Sequence, residues 1–139
     1  MHGSFTSKFS KGKRSVFLLY VHLVFVTKYR KKVFKKIHLD ALVAIFEGIG
    51  GDFEACLREC NGEDDHVHLL VEYPPKVAIS KLVTSLKGVS SRLLKKRFPL
   101  LAQAYWKGAL WSPGYFASSC GGAPLMKIQQ YIANQLAPN

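Results

Sequence analysis

Apolar positions switch period several times between residues 15 and 136, and each switch marks an element. Ser15 to Thr27 is dense in β-branched and aromatic residues, which predicts a strand covered on both faces. From Ile37 to Ile49, Leu39, Leu42, Val43, Ile45 and Phe46 recur at helical spacing, and Gly48, Gly50 and Gly51 are expected to stop that helix. Phe53 to Cys60 reads as a second strand. Asn61-Gly62-Glu63-Asp64 turns it into a third, His66 to Val71, which ends firmly at Tyr73-Pro74-Pro75. The last two strands are expected to form an antiparallel hairpin.

Ala78 to Arg97 is the strongest helix, with Ile79, Leu82, Val83, Leu86, Val89, Leu93 and Leu94 on its buried stripe and Phe98-Pro99 at its end. Leu100 to Pro113 reads as a connector carrying Trp106 and Trp111, and Gly114 to Ser119 as a short last strand. Gly121-Gly122-Ala123-Pro124 is a flexible link into a final helix, Pro124 to Leu136. The order β-α-β-β-α-β-α predicts an α+β domain of ferredoxin-like or RNA-recognition-like kind, a mainly antiparallel sheet with packed helices. Residues 1–14 are polar and basic and read as a flexible arm before a single domain over residues 15–139.

Charge sharpens this picture. The net charge is +11, and all nine acidic residues fall between Asp40 and Glu72, so both flanks are purely basic. Segregated charge makes a directed field and points to a polyanionic partner; no segment is long and apolar enough to span a bilayer, which puts nucleic acid first. Lys28-Tyr29-Arg30-Lys31 interleaves cations with an aromatic at a strand end, which suits phosphate contact and base stacking. Lys87, Arg92, Lys95 and Lys96 lie on the polar side of the long helix, with no acid among them. These eight residues are the candidate nucleic-acid contacts; a charged strand end is the plainer meaning of the Lys28 run, whereas unrelieved positive charge along the helix costs self-repulsion and favours a phosphate-binding face over a solvated one. Three cysteines and no signal peptide predict reduced thiols in a cytoplasmic protein, without a zinc site.

Two stretches carry candidate chemistry. Side chains alternate along a strand, so His66 and His68 share a face about 7 Å apart, where two neutral imidazoles can hold one divalent ion. Taken alone, that triplet more simply describes two hydrogen-bonded histidines at a strand end, as His22 does within the first strand. On the last helix Tyr131 and Gln135 are four apart and stand one turn above the other beside the apolar stripe. A deprotonated phenol is a competent nucleophile, and an amide oxygen is a hard ligand suited to magnesium or manganese. Each, taken alone, is equally a surface residue.

Four blocks in order, Asp65-His66-Val67-His68-Leu69-Leu70-Val71, Leu86 to Arg92, Leu110-Trp111-Ser112-Pro113-Gly114-Tyr115-Phe116 and Tyr131-Ile132-Ala133-Asn134-Gln135, resemble the signature blocks of the single-tyrosine HUH transposases of the IS-two-hundred and IS-six-hundred-five insertion sequences. Val24 to Arg30 resembles that family's first strand end. The resemblance implies an HUH domain that cuts and rejoins single-stranded DNA at element ends located by hairpins. It implies that Tyr131 attacks the scissile phosphate to leave a 5′-phosphotyrosine, that His66, His68 and Gln135 hold Mg2+ or Mn2+, and that no nucleotide cofactor is used. It further implies a homodimer with joined sheets, in which Gly121-Gly122 is a hinge that lets the tyrosine helix complete the partner's site. Ala133 departs from the larger polar residue many relatives carry. Three other readings stay open: a repeat-associated tyrosine transposase, a non-catalytic hairpin-binding relative, and a phosphohydrolase that uses the His pair with water.

Overall fold

The computed structural model describes residues 10–11, 16–17, 19–105, 107–119 and 131–134. Ser10–Lys11 (β1) and Val16–Phe17 (β2) pair as a short antiparallel ribbon. Leu19–Val26 (β3), Cys56–Gly62 (β4), His66–Tyr73 (β5) and Phe116–Ser119 (β6) form a four-stranded sheet of order β4-β5-β3-β6 in which every neighbouring pair is antiparallel. Lys36–Asp52 (α1) and Ile79–Arg97 (α2) cover one face, and Pro99–Ala104 (α3) follows α2 directly.

The core forms where the two periods meet. Alternate strand residues Val21, Leu23, Phe25, Leu57, Val67, Leu69 and Val71 join Leu42, Phe46 and Ile49 of α1 and Leu82, Leu86 and Leu94 of α2 in one buried cluster. Burial of each such side chain contributes about 1.5–3 kcal/mol. Trp111 closes the cluster, edge-on to Phe25 and Phe34 at ring separations of 5.6 and 5.5 Å.

Three expectations about element boundaries are corrected. The first predicted strand serves two sheets rather than one: Val16–Phe17 pairs with β1, whereas the pairing with β5 starts at Leu19 opposite Tyr73, the last residue of β5. α1 runs through Gly48, Gly50 and Gly51 to Asp52, because Gly50 lies buried against the Ala55 backbone and its carbonyl accepts the N–H groups of Phe53 and Ala55. The residues after Pro99 are helical, since proline at the first turn starts α3 rather than only ending α2. The basic arm, apart from Ser10–Lys11, and most of the final helix lie outside the described residues. Among the described residues no helix is long and apolar enough to cross a membrane.

The β4–β5 turn depends on one glycine. A Cβ at Gly62 would stand 2.8 Å from the His66 carbonyl oxygen, 2.9 Å from Leu39 Cδ2 and 3.0 Å from Val67 Cγ1. That carbonyl accepts the Glu63 N–H at 2.9 Å, so the clash falls on the hydrogen bond that closes the turn. Gly62→Ala is expected to destabilise the protein by about 1–3 kcal/mol, read as a shift in urea midpoint. An unchanged midpoint would mean that the turn relaxes freely.

Candidate functional site

The alternation that sends Val67, Leu69 and Val71 into the core sends His66 and His68 to the opposite face of the sheet. Register places His66 beside Val26, His68 beside Val24, and Phe116 on the other side of Val24. His22, opposite Leu70, shares this face. The His66 and His68 rings are 5.2 Å apart between centroids and inclined at 48°.

The two imidazoles differ in surroundings. His66 is buried, with Nδ1 2.8 Å from Asp65 Oδ1, so Nδ1–H can donate to the carboxylate and leave the Nε2 lone pair for another partner. Burial, followed by the neighbouring His66, holds His68 below the usual imidazole value, with Glu63 working against this and His22 with it. A half-buried imidazole kept neutral is in the state a divalent ion requires.

Tyr131 reaches the same face. Residues Tyr131 to Asn134 are helical, and Tyr131 and Ile132 pack with Phe116 over Val24 and Val26, the Tyr131 and Phe116 rings 5.6 Å apart. Burial pushes the Tyr131 phenol up, so it needs a neighbouring cation or base before it can act as a nucleophile. Gln135, the expected third ligand, lies outside the described residues, as do Gly121 and Gly122. Among the described residues no group of three His, Cys, Asp or Glu side chains converges on a metal position. The donor set fits a divalent ion as two imidazoles that need a further oxygen ligand.

A groove of about 720 Å³ runs beside α2, lined by Lys28, Lys87, Arg92, Lys95 and Lys96 together with Gly108, Trp111 and Ser112; among the described residues its lining contains no acid. Ser112 of this lining donates its N–H to the Val26 carbonyl at 2.7 Å, and Val26 is paired with His66 in the sheet. The eight candidate contacts separate within this setting. Lys87 Nζ donates to the carbonyls of Ser112 and Gly114, Lys95 Nζ to those of Tyr105 and Gly108, and Lys31 Nζ to that of Ala104. These three cations pin the segment between α3 and β6 while contributing charge. Arg30 turns inward to Asp65, whereas Arg92, Lys96 and Tyr29 are exposed. Trp111 of the connector is 2 % exposed and donates from Nε1 to Ser90 Oγ, so it is a core residue; Trp106 lies outside the described residues.

Asp65, Thr27, Ser90 and Ser91 were not singled out from the sequence. Thr27 is fully buried and bonds Asp65 through its N–H and Oγ1, and Ser91 Oγ accepts the Leu110 N–H. Only Asp65 carried a local signal, an acid immediately before the His pair.

The chain is thus an antiparallel α+β domain with a His pair and a tyrosine on the sheet face opposite α1 and α2 and a basic groove beside α2. The family model described as "Transposase IS200 like" matches residues 15–135, and the chain belongs to that family. It is 34 % identical over 125 residues to the ISDra2 transposase TnpA of Deinococcus radiodurans, covering 90 % of this chain and 89 % of that protein. It is also 34 % identical over 115 residues to the transposase for insertion sequence element IS200 of Salmonella typhimurium, covering 83 % and 75 %. A crystal structure from D. radiodurans R1, provisionally described as a transposase, superposes with a TM-score of 0.81 at 36 % identity over 92 % of this chain and 98 % of that one. A REP-associated tyrosine transposase bound to a REP hairpin superposes with a TM-score of 0.54 at 10 % identity over 88 % and 68 %, a likeness of fold. The family resemblance and the antiparallel α+β fold read from the sequence are both borne out.

Proposed function

We propose that this transposase cuts and rejoins single-stranded DNA at the hairpin-marked ends of an insertion sequence, with Tyr131 as nucleophile. The observation that carries this reading is that Tyr131, His66 and His68 share the sheet face opposite α1 and α2. The Tyr131 oxygen attacks the scissile phosphorus, the bond from phosphorus to the 3′ oxygen breaks, and that oxygen leaves as a 3′-hydroxyl after taking a proton. The resulting 5′-phosphotyrosine ester retains the energy of the broken linkage, so a second 3′-hydroxyl can reverse the step and rejoin the strand without a nucleotide. His66 and His68, with Gln135, would hold Mg2+ or Mn2+, which supplies Lewis-acid polarisation of the phosphate oxygens. The enzyme would act in the cytoplasm as a homodimer. The repeat-associated alternative is less favoured, because its solved representative shares only 10 % identity while the insertion-sequence relative TnpA shares 34 %.

Labelled single-stranded DNA carrying candidate hairpin ends, incubated with Mn2+ or Mg2+ and run on denaturing gels, tests the proposal by whether labelled DNA becomes covalently attached to protein. Binding without an adduct, on a substrate that a close relative cuts, would favour the non-catalytic hairpin-binding reading. The groove has its own test. Arg92 and Lys96 are exposed at its rim, so the double variant Arg92→Ala/Lys96→Ala is expected to weaken hairpin binding and lower the log–log salt slope by about 2. An unchanged slope would place the phosphate contacts elsewhere.

A further inference from the structure

The turn after β3 is built at a cost that DNA contact does not explain. Tyr29 and Arg30 have φ of 67° and 53°, two successive side-chain-bearing residues in the left-handed region. Thr27 holds them there: its carbonyl accepts the Arg30 N–H at 2.9 Å, and its hydroxyl donates within reach of the carbonyls of Lys31 and Asp65, at 2.9 and 3.2 Å. The outcome is that Arg30 points back into the protein, Nε 3.2 Å from Asp65 Oδ2. The other carboxylate oxygen meets His66 Nδ1 at 2.8 Å. The Asp65 and His66 side chains are 6 % and 8 % exposed, so water does not compete for that bond.

We infer that Asp65 is the positioning residue of His66 and Arg30 the clamp of Asp65: the carboxylate accepts a hydrogen bond from Nδ1–H, fixing the tautomer and ring orientation in which Nε2 is the open atom on the sheet face. The neutral imidazole proton can sit on either nitrogen, and the partner of one decides which the other becomes. Arg30 thereby joins the support of the site through Nε. This inference rests on the reading of His66 as a metal ligand, but its first test needs no metal.

Two-bond proton–nitrogen NMR of the metal-free protein, at a pH where His66 is neutral, reads the tautomer directly. The wild type is expected to carry the proton on Nδ1; a proton on Nε2 overturns the inference, whether or not any variant folds. Asp65→Ala removes the carboxylate and keeps the backbone carbonyl that Thr27 needs, so His66 is expected to become a mixture or to move its proton to Nε2. Asp65→Asn, which keeps an acceptor oxygen, is expected to restore the Nδ1 form in part. Mn2+ affinity by electron paramagnetic resonance is expected to fall about 10–100-fold in Asp65→Ala and less in Arg30→Ala. An unchanged His66 tautomer in folded Asp65→Ala would overturn the inference. Failure of the wild type itself to bind Mn2+ would overturn the metal reading alone, with the spectra still deciding the role of Asp65.

Discussion

Tyr131→Phe is expected to abolish the covalent protein–DNA adduct and slow strand cleavage by on the order of 10³-fold or more, while hairpin binding is retained. The phenyl ring supplies the contact with Phe116, Val24 and Val26, so the substitution removes one oxygen and leaves the packing of the helical turn in place. Burial in the same packing pushes the phenol up, so on the proposed mechanism Tyr131 would need a cation or base beside it before attacking. Thermal melts and hairpin gel shifts separate lost chemistry from lost structure. A Tyr131→Phe variant that still cuts would sink the tyrosine mechanism and point to water as nucleophile, with the His pair serving a phosphohydrolase.

The second large effect is expected at the histidines, and it divides in an informative way. His68→Ala and His66→Ala should each abolish tight Mn2+ binding by calorimetry and reduce metal-dependent cleavage by about 100-fold or more. Their effects on stability differ. His68 is half-buried, so its removal uncovers little, and the melting temperature is expected to stay near that of the wild type. Removal of the buried His66 strips Asp65 of a partner and costs about 1–3 kcal/mol as well. If His68→Ala cut DNA at the wild-type rate with the metal dependence intact, the ligand assignment would be wrong.

Much of the fold was legible because its signals are local. Six of the seven periodic residues of α2 pack on the core, while Leu93, expected on the buried stripe, is exposed and Ser90 and Ser91 are buried instead; the hairpin of β4 and β5 follows from the turn-forming run before His66. Where the reading failed, a neighbour distant in sequence had decided the matter. The glycines of α1 stay helical because the Ala55 backbone closes over Gly50, and β2 pairs with β1 whereas β3 pairs with β5. Trp111 reads as a surface aromatic in a polar connector, but Ser90 of α2 takes its indole N–H and the core takes its ring.

By itself the sequence determined that His66 and His68 share a face, that α2 carries an acid-free basic side, and that the chain resembles tyrosine transposases. Each of these follows from a spacing of two to four residues or from a short block of adjacent ones. Only the tertiary structure decided which cations are committed to protein carbonyls, as Lys31 is to Ala104 across 73 residues of chain, and which acid supports the His pair, as Asp65 does with Arg30 across 35. The physical reason is that periodicity sets the direction of a side chain, whereas its hydrogen-bond partner is set by whichever segment packing brings within about 3 Å.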